Sequence, residues 1–324
     1  METEIKVSII CNAFNHEKYI RDALEGFVNQ KTDFPFEVLV HDDASTDNTA
    51  DIIREYEEKY PDIIKPIYQT ENQYSKGIKI SKDIQEPRAK GKYIALCEGD
   101  DYWTDPLKLQ KQYDFLENNP EYSMCVCSTD WLNMINGKIE KRCKVEEDKD
   151  IPLEDIILEK HGRIFQLASI MLRKEIRTQY PEWRLAFPIG DLPQAILAAL
   201  SGKVRMLADV MTVYRYYSSG SWTARMDNDE HRAKISRKMI NALEMLDDAT
   251  EKKHTEVITK RIKRHKYILA VMDHDLKAIK SEELSEIYKP RVWYYKVAVH
   301  IRCWFPGLYA FILKPLVRIF HTEA

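Results

Sequence analysis

The sequence has few glycines, no long apolar run and no cysteine pattern typical of a metal site. Its ten glycines form neither GxGxxG nor GxxxxGK[ST], the loops that bring backbone N–H groups onto phosphate. HExxH, GxSxG and spaced Cys/His pairs are absent as well. These absences exclude the dinucleotide-binding, P-loop and zinc-hydrolase classes that depend on such motifs. If the chain binds a phosphorylated ligand, a divalent cation held by carboxylates is the obvious means of neutralising it.

The six cysteines predict neither disulfides nor a zinc site. Cys125 and Cys127 would point the same way from a strand, but no CxxC or Cys/His cluster accompanies them. The N-terminal residues METEIKVSII enter a strand-like run at once, so we expect no signal peptide. The cysteines are therefore expected to be the reduced thiols of a cytosolic protein.

Composition predicts a folded body with a basic C-terminal region. Of the 324 residues, 44% are apolar and 31% charged, and the net charge of −3 disfavours a globally basic nucleic-acid binder. Residues 252–322 hold 15 Lys/Arg and 6 Asp/Glu, a net of +9, so the rest carries −3 − 9 = −12. The segment 252–266, with seven Lys/Arg and one Glu, is best interpreted as a solvated helix face.

Strands and helices alternate over the first part of the chain. Predicted strands are Ile5–Cys11, Phe36–Val40, Ile63–Tyr68 and Lys92–Cys97, and predicted helices are Glu17–Gln30, Thr49–Tyr60 and a segment between Ile78 and Ala89. This alternation implies a mostly parallel sheet with helices on both faces. Such sheets bind ligands beyond the carboxyl ends of their strands.

The pattern is looser after Asp101. Predicted helices are Pro106–Glu117, Asp191–Leu200, about 227–278 and Glu282–Ile287; predicted strands are Tyr122–Ser128, Ser169–Arg173, Lys203–Leu207 and Val210–Tyr214, with a charged loop or edge at Lys138–Asp150.

Two acidic clusters follow predicted strands. HDDASTD begins at His41, and EGDD begins at Glu98. Both would project at one edge of a parallel sheet, where gathered like charges are unfavourable unless a cation or a donor-rich ligand offsets them. Helix capping is the alternative: Asp43, Ser45 or Asp47 for the helix near Thr49, and Asp105 for the helix at Pro106. Two clusters at neighbouring strand ends favour a functional site.

These segments resemble the family 2 glycosyltransferases. The resemblance is carried by VSIICNAFNHEKYI from Val7, DDASTDNT from Asp42 and GKYIALCEGDDYW from Gly91, and it extends more weakly to about residue 225. It implies a GT-A fold, a Rossmann-like α/β nucleotide-diphospho-sugar transferase with a mostly parallel sheet. The expected domains are a transferase domain at 1–225, with halves 1–103 and 104–225, a helical extension at 226–288 and a tail at 289–324.

The resemblance also implies roles for particular residues. Asp100 and Asp101 would hold Mn²⁺ or Mg²⁺ in the place of the family's DxD motif, although the first acid of this motif is Glu98. Asp191, in FPIGDLP, would be the general base, with an N-cap as its alternative role. The residues implied to bind the nucleotide-sugar are Asn12, Phe14, Asn15, Asp43, Glu98, Asp100 and Arg215.

Three further positions have simple alternatives. Asn12 and Asn15 are interpreted equally well as polar turn residues, and Asn15 or His16 as a helix N-cap. Tyr217 stands where relatives often carry a histidine, which puts a histidine ligand in doubt. The loop Ser218–Arg225 is interpreted as a lid or as an exposed loop.

The C-terminal tail combines cations with aromatic residues. Residues 287–322 hold six Lys/Arg and no acid, and the longest uncharged run, Cys303–Leu313, is shorter than the roughly 20 residues that span a bilayer. An amphipathic helix in the headgroup region of an anionic membrane is one interpretation. The other is a helical hairpin that packs on the body or on a second subunit.

Together these observations predict an inverting glycosyltransferase at the cytoplasmic face of a membrane. It would move one sugar, from a UDP-sugar by preference, to a lipid-linked, capsular, lipopolysaccharide or other cell-surface glycan. QxxRW, the signature of processive synthases, is absent. The alternatives are a non-catalytic scaffold of the same fold and a sugar nucleotidyltransferase. The latter needs a glycine-rich N-terminal loop, which CNAFN at Cys11–Asn15 does not supply.

Overall fold

The computed structural model describes residues 4–159, 164–218, 228–309 and 311, without the side chain of Lys141. The chain packs as two compact units. The first comprises Met1–Ile156, Arg163–Gln179 and Gln194–Ser221, and the second comprises Ile157–Gly162, Tyr180–Pro193 and Trp222–Ala324.

The first unit is built on one sheet of ten strands. The strands are β1 Val7–Ala13, β2 Phe36–Asp42, β3 Ile64–Tyr68, β4 Tyr93–Leu96, β5 Tyr102–Trp103, β6 Tyr122–Asn133, β7 Ile139–Cys143, β8 Lys149–Asp150, β9 Met171–Arg173 and β10 Lys203–Tyr216. Their order is β3-β2-β1-β4-β9-β6-β10-β5, with β7 beside β6 and β8 beside β10. The first four strands pair in parallel, as do β6 and β10, whereas β5, β7, β8 and β9 are antiparallel to their neighbours.

The helices before residue 202 are short, with four to eleven residues each. They are α1 Ile20–Val28, α2 Thr49–Lys59, α3 Lys108–Asn118, α4 Leu153–Leu158, α5 Lys174–Arg177, α6 Glu182–Ala186 and α7 Asp191–Ser201. Burial of the apolar faces of α1 and of the central strands forms the core, with Ile9, Val38, Leu24 and Phe27 all fully buried. Burial of each such side chain contributes roughly 1.5–3 kcal/mol.

The structure corrects three sequence predictions. Pairing of β1 with β2 continues to Ala13 and Asp42, so β1 and β2 run two residues beyond their predicted ends. The predicted helix at 78–89 is a π-helical turn, Ile80–Gln85, followed by a 3₁₀ turn, Glu86–Arg88. Pro87 lacks the N–H that an α-helix needs there. The two predicted strands after residue 202 form the single strand β10, because register shifts around Leu207–Thr212 absorb the extra residues.

The second unit contains the C-terminal helices. These are α8 Asp229–Ala249, α9 Thr255–Met272, α10 Leu276–Ile279, α11 Glu282–Tyr288, α12 Trp293–Trp304 and α13 Pro306–Leu308. One face of α12 packs into the core of this unit through Val299, and its Arg302 donates to Asp229 at 2.8 Å and to the Val271 carbonyl at 3.2 Å. Within the described ranges, no helix is long and apolar enough to cross a membrane.

Candidate active site

The carboxyl ends of β1, β2 and β4 meet at one edge of the sheet. Asn12 pairs with His41 across β1 and β2, and its side-chain amide donates to Glu98 Oε1 and to Ser81 Oγ, each at 3.3 Å. The Asn12 Oδ1 atom is buried without a hydrogen-bond partner. A buried acceptor aimed at this edge is available to a ligand donor.

Glu98, Gly99, Asp100 and Asp101, here called the acidic turn, follow β4. The turn is closed by the Asp101 N–H, which donates to the Glu98 carbonyl at 3.1 Å. Gly99 is required by close packing, since a Cβ there would lie 2.9 Å from both His16 Nδ1 and Ile20 Cδ1. The turn is thereby pressed against the beginning of α1, with three carboxylates within four successive residues.

The carboxylates of the acidic turn are in an unfavourable electrostatic environment. Burial and the negative charge of Asp100 raise the pKa of Glu98 to about 7. Burial, with a smaller contribution from Asp100, also raises the pKa of Asp101 above its usual value. Each shift means that the ionised form is destabilised by lost solvation and by like charge. Positive charge brought to this turn would be stabilised in return.

The end of β10 holds the acidic turn in place. The backbone N–H of Arg215 donates to Asp101 Oδ1 at 2.9 Å, and its guanidinium donates to the Asp100 carbonyl at 2.8 Å. The same buried guanidinium pairs with Asp22 and lies 4.3 Å from the ring centre of Tyr102. These contacts give Arg215 a positioning role. Its direct contact with a diphosphate stays a prediction.

The turn at Tyr217 and Ser218, just after β10, brings a further hydrogen-bond donor to the acidic turn. Tyr217 has a φ of 63°, a left-handed conformation that is unfavourable for a bulky residue. Ser218 follows it and donates from Oγ to Asp100 Oδ2 at 3.2 Å. The strained turn thus brings a hydroxyl onto the acidic turn. Of the predicted lid Ser218–Arg225, residues 219–225 lie outside the described residues.

Asp43 does not cap the helix that follows it. Its carboxylate, which is buried, accepts the backbone N–H groups of Gln73 at 2.7 Å and Tyr74 at 3.1 Å. The capping alternative is therefore wrong for Asp43, because its two oxygens are turned toward the loop after β3. Asp47 instead accepts the Thr49 N–H at 3.0 Å, near the beginning of α2.

Phe14 and Asn15 lie in the loop after β1. Asn15 has a φ of 57° and accepts the Thr46 N–H at 2.8 Å, while its own N–H donates to Ser45 Oγ at 2.9 Å. Asn15 thus joins the loops after β1 and β2 and does not cap α1. Phe14 is 44% exposed, so it is accessible to a ligand.

The acidic turn fits a cation that arrives with a diphosphate. In the part of the chain that the structure describes, no group of three His, Cys, Asp or Glu side chains is arranged to hold a metal ion. Mg²⁺ is commonly held by one or two carboxylates together with substrate phosphates and water, and such a site needs no larger protein cluster. The carboxylate oxygens and raised pKa values of this turn match that requirement.

Asp191 and the acidic turn are assigned to different compact units of the chain. Asp191 is the first residue of α7 and belongs to the second unit, whereas the acidic turn belongs to the first. One of its oxygens, Oδ1, accepts the N–H of Leu192 at 2.9 Å. This bond is consistent with a role at the helix start, and the role of general base remains a prediction.

Sequence reasoning missed Ser218, Asp22 and His16 as neighbours of the acidic turn. Ser218 lies in the segment that was interpreted as a lid, so its position after Arg215 was a usable signal. Asp22 and Arg215 are 193 residues apart, and no local pattern links them. His16 packs on Gly99 in the folded chain, a contact that only the fold reveals.

The fold is that of the GT-A glycosyltransferases. The chain is similar to the structure of a mannosyltransferase from Pyrobaculum calidifontis in complex with GDP-Man and Mn²⁺, with a TM-score of 0.55 and 15% identity over 100% of this chain and 89% of that one. It is also similar to S. aureus TarS 1-349 in complex with UDP-GlcNAc, with a TM-score of 0.53 and 21% identity over 92% and 79%.

Sequence comparison gives the family. The model of glycosyl transferase family 2 matches residues 8–176, and an uncharacterized glycosyltransferase of Nostoc sp. is 36% identical over 71% of each chain. The chain therefore belongs to glycosyl transferase family 2, which confirms the predicted family and fold class. It spans 60% of the length of the mycobacterial relatives that it matches at 34% identity.

Proposed function

We propose that this chain is an inverting glycosyltransferase that transfers one sugar from a UDP-sugar to a hydroxyl group of a cell-surface or lipid-linked glycan. The observation that carries the proposal is the acidic turn, with Glu98, Asp100 and Asp101 fixed at the carboxyl edge of a parallel sheet. A position at the cytoplasmic face of a membrane belongs to the same proposal, since a lipid-linked acceptor would be available there.

The donor would bind across the ends of β1, β2 and β4. Asn12, Phe14, Asn15 and Asp43 surround the nucleotide end of this edge, and the acidic turn lies at the diphosphate end. The choice of UDP is supported by the fold shared with TarS, which binds UDP-GlcNAc. The GDP-Man complex of the other structural neighbour makes GDP the competing choice.

Asp100 and Asp101 would hold Mn²⁺ or Mg²⁺ against the donor diphosphate. When bound, such an ion supplies a Lewis acid that stabilises the negative charge of the departing nucleotide. The chain's own contribution is to fix the two carboxylates: Arg215 holds Asp101 Oδ1 and the Asp100 carbonyl, and Ser218 holds Asp100 Oδ2. Because these bonds exist before the donor binds, little reorganisation is needed during the reaction.

Asp191 would accept the proton of the acceptor hydroxyl as that oxygen attacks the anomeric carbon. Attack on the face opposite the nucleotide breaks the bond to the diphosphate and inverts the anomeric centre, so no covalent enzyme intermediate forms. General-base catalysis of this kind contributes on the order of 10²–10⁴-fold to the rate. The Asp191 carboxylate would receive this proton while its Oδ1 also accepts the Leu192 N–H.

Ligand-dependent melting tests the donor site. UDP, GDP, CDP and dTDP are each added with and without Mn²⁺, because a ligand of the folded state raises Tm according to its affinity. We expect UDP with Mn²⁺ to raise Tm, and Asp100→Ala to abolish the increase. Stabilisation by GDP alone would refute the choice of UDP as the donor nucleotide. No response to any nucleotide would favour the scaffold alternative.

A second measurement tests Asp191 as the general base. Release of UDP from UDP-glucose and UDP-N-acetylglucosamine is followed for Asp191→Asn and for the control Asp248→Asn, an exposed residue of α8. We expect Asp191→Asn to lower the turnover about 10²-fold or more while the UDP-induced Tm shift is kept. Equal turnover in both variants would remove Asp191 from the mechanism.

A further inference from the structure

Helix α12 has a second apolar face, which points to solvent. Its inner face is buried through Val299 and Arg302, but Trp293 is 75% exposed and Trp304 63% exposed. An outward apolar face on a helix that is already packed is unusual for a soluble surface. The exposed apolar residues recur at helical spacing along α12 and continue past its end. Together they are here called the outer face: Trp293, Tyr294, Val297, Trp304, Phe305, Leu308 and Phe311.

Unpaired cations lie beside the outer face. Lys289 and Arg291 are exposed and Lys296 is half-buried, and none of the three has an acidic partner among the described residues. Acidic residues are absent from 287–322 altogether. By contrast, Lys263 and Lys266 of α9 pair with Glu286 and Glu283. Lys289, Arg291 and Lys296 therefore place positive charge beside the exposed aromatic residues.

We propose that the outer face lies in the headgroup region of an anionic membrane, with α12 parallel to the surface. The proposal deepens the proposed function, on which its biological purpose rests, by naming the surface and the lipid charge. Tryptophan and tyrosine prefer the boundary between water and acyl chains, and apolar side chains beside them add binding energy through burial. The cations select anionic headgroups. A second copy of the chain is a less suitable partner, since the cations beside the outer face would repel the same cations on the other copy.

The inner face explains how the helix is held for this contact. Arg302 ties α12 to Asp229 of α8 and to the Val271 carbonyl of α9, and Val299 packs with Ile279 and Leu284. The outer face is thus presented by a helix that is already fixed in the folded unit. Little ordering entropy is lost on binding, in contrast to a segment that folds on the membrane.

Vesicle sedimentation of the full chain tests the proposal. The probes are vesicles of phosphatidylcholine with or without phosphatidylglycerol. We expect binding to the anionic vesicles only, weakened by salt. The double variant Lys289→Gln/Arg291→Gln should bind roughly thirtyfold more weakly, because each cation near the surface contributes about 1 kcal/mol. Its matched control is Lys252→Gln/Lys253→Gln, two exposed lysines that are paired with acids.

The apolar contribution has its own pair of variants. Trp304→Ser/Phe311→Ser should weaken binding at least about tenfold, since two large side chains no longer insert. The control Ile135→Ser/Ile139→Ser removes two exposed isoleucines of the first unit and should leave binding unchanged. Equal vesicle binding by Trp304→Ser/Phe311→Ser and by Ile135→Ser/Ile139→Ser would overturn the proposal. Absence of binding by the wild type would overturn it as well.

Two further readouts separate the competing explanations. Light scattering without lipid reports the mass, and a dimer that becomes monomeric in Trp304→Ser/Phe311→Ser would make the outer face a protein interface and overturn the lipid proposal. Unfolding curves and the UDP-induced Tm shift are measured on every variant without vesicles. A lost nucleotide response with retained vesicle binding would count against the proposed function alone.

Discussion

Replacing Arg215 with methionine removes the cation that ties β10 to the acidic turn while it keeps most of the side-chain volume. Four contacts are lost. The Asp100 carbonyl loses a donor at 2.8 Å, which we expect to cost about 1–3 kcal/mol. The contacts with the rings of Tyr102 and Tyr19 contribute about 0.5–1 kcal/mol each. The Asp22 side chain is 54% exposed, so its pairing with Arg215 adds little.

The sum predicts a loss of roughly 2–5 kcal/mol in the free energy of unfolding. Urea denaturation measures it, and Arg21→Met is the matched control. Arg21 is an arginine of α1 that is about half-exposed and pairs with the exposed Glu55 of α2. We expect that control to lose no more than about 0.5 kcal/mol. Equal losses in the two variants would refute the reasoning.

The same substitution should also weaken the binding of UDP with Mn²⁺. The positive charge of Arg215 lowers the pKa of Asp101 against the larger effect of burial, so its removal raises that pKa further. A carboxylate that is harder to ionise holds a cation less well. Arg215→Lys keeps the charge but loses the forked geometry, and we expect it to recover part of the affinity. Calorimetric titration at fixed pH measures both variants, and unchanged affinity in Arg215→Met would contradict the positioning role.

Two further predictions concern neighbouring carboxylates. Because the pKa of Glu98 is raised to about 7, the folded protein keeps a proton that the unfolded chain releases between about pH 5 and 7. The Tm of the metal-free protein should therefore fall as the pH rises through this range. Glu98→Gln should flatten this slope in a melting series with EDTA. Asp43→Asn leaves one oxygen for the two N–H groups of Gln73 and Tyr74, so we expect a loss of about 1–3 kcal/mol by urea denaturation, against no change for the exposed control Asp51→Asn.

Local pattern was sufficient for the parallel half of the sheet. The β-branched runs before Asn12 and Asp42 predict buried strands, and their neighbouring carboxyl ends predict the acidic edge without any tertiary knowledge. The ends of those strands were misjudged because backbone pairing between β1 and β2, which local sequence does not reveal, extends them. The same holds for β10, whose register shifts join two segments that look separate.

The partners of each site residue were much less predictable than the residues themselves. Arg215 was selected from its place in YRYYSS as a phosphate ligand, yet its guanidinium contacts depend on Asp22, Tyr19 and Tyr102, which lie more than 100 positions away. Asp43 was found correctly as an acid at a strand end. Its two carboxylate oxygens, however, accept backbone N–H groups of a loop whose position the local sequence does not indicate. Spacing along the chain locates charge, whereas the fold decides what that charge is bonded to.

The acidic turn is organised in a way that favours binding over stability. Its carboxylates are destabilised by burial and by one another, as the raised pKa values of Glu98 and Asp101 show. They nevertheless hold a fixed geometry, because Arg215 and Ser218 each donate to one carboxylate oxygen and Arg215 also donates to the Asp100 carbonyl. A turn left free would relieve the repulsion by moving its charges apart. Since these bonds prevent that relief, the repulsion is released only by protonation or by positive charge, and a cation that arrives with a diphosphate would supply the second at neutral pH.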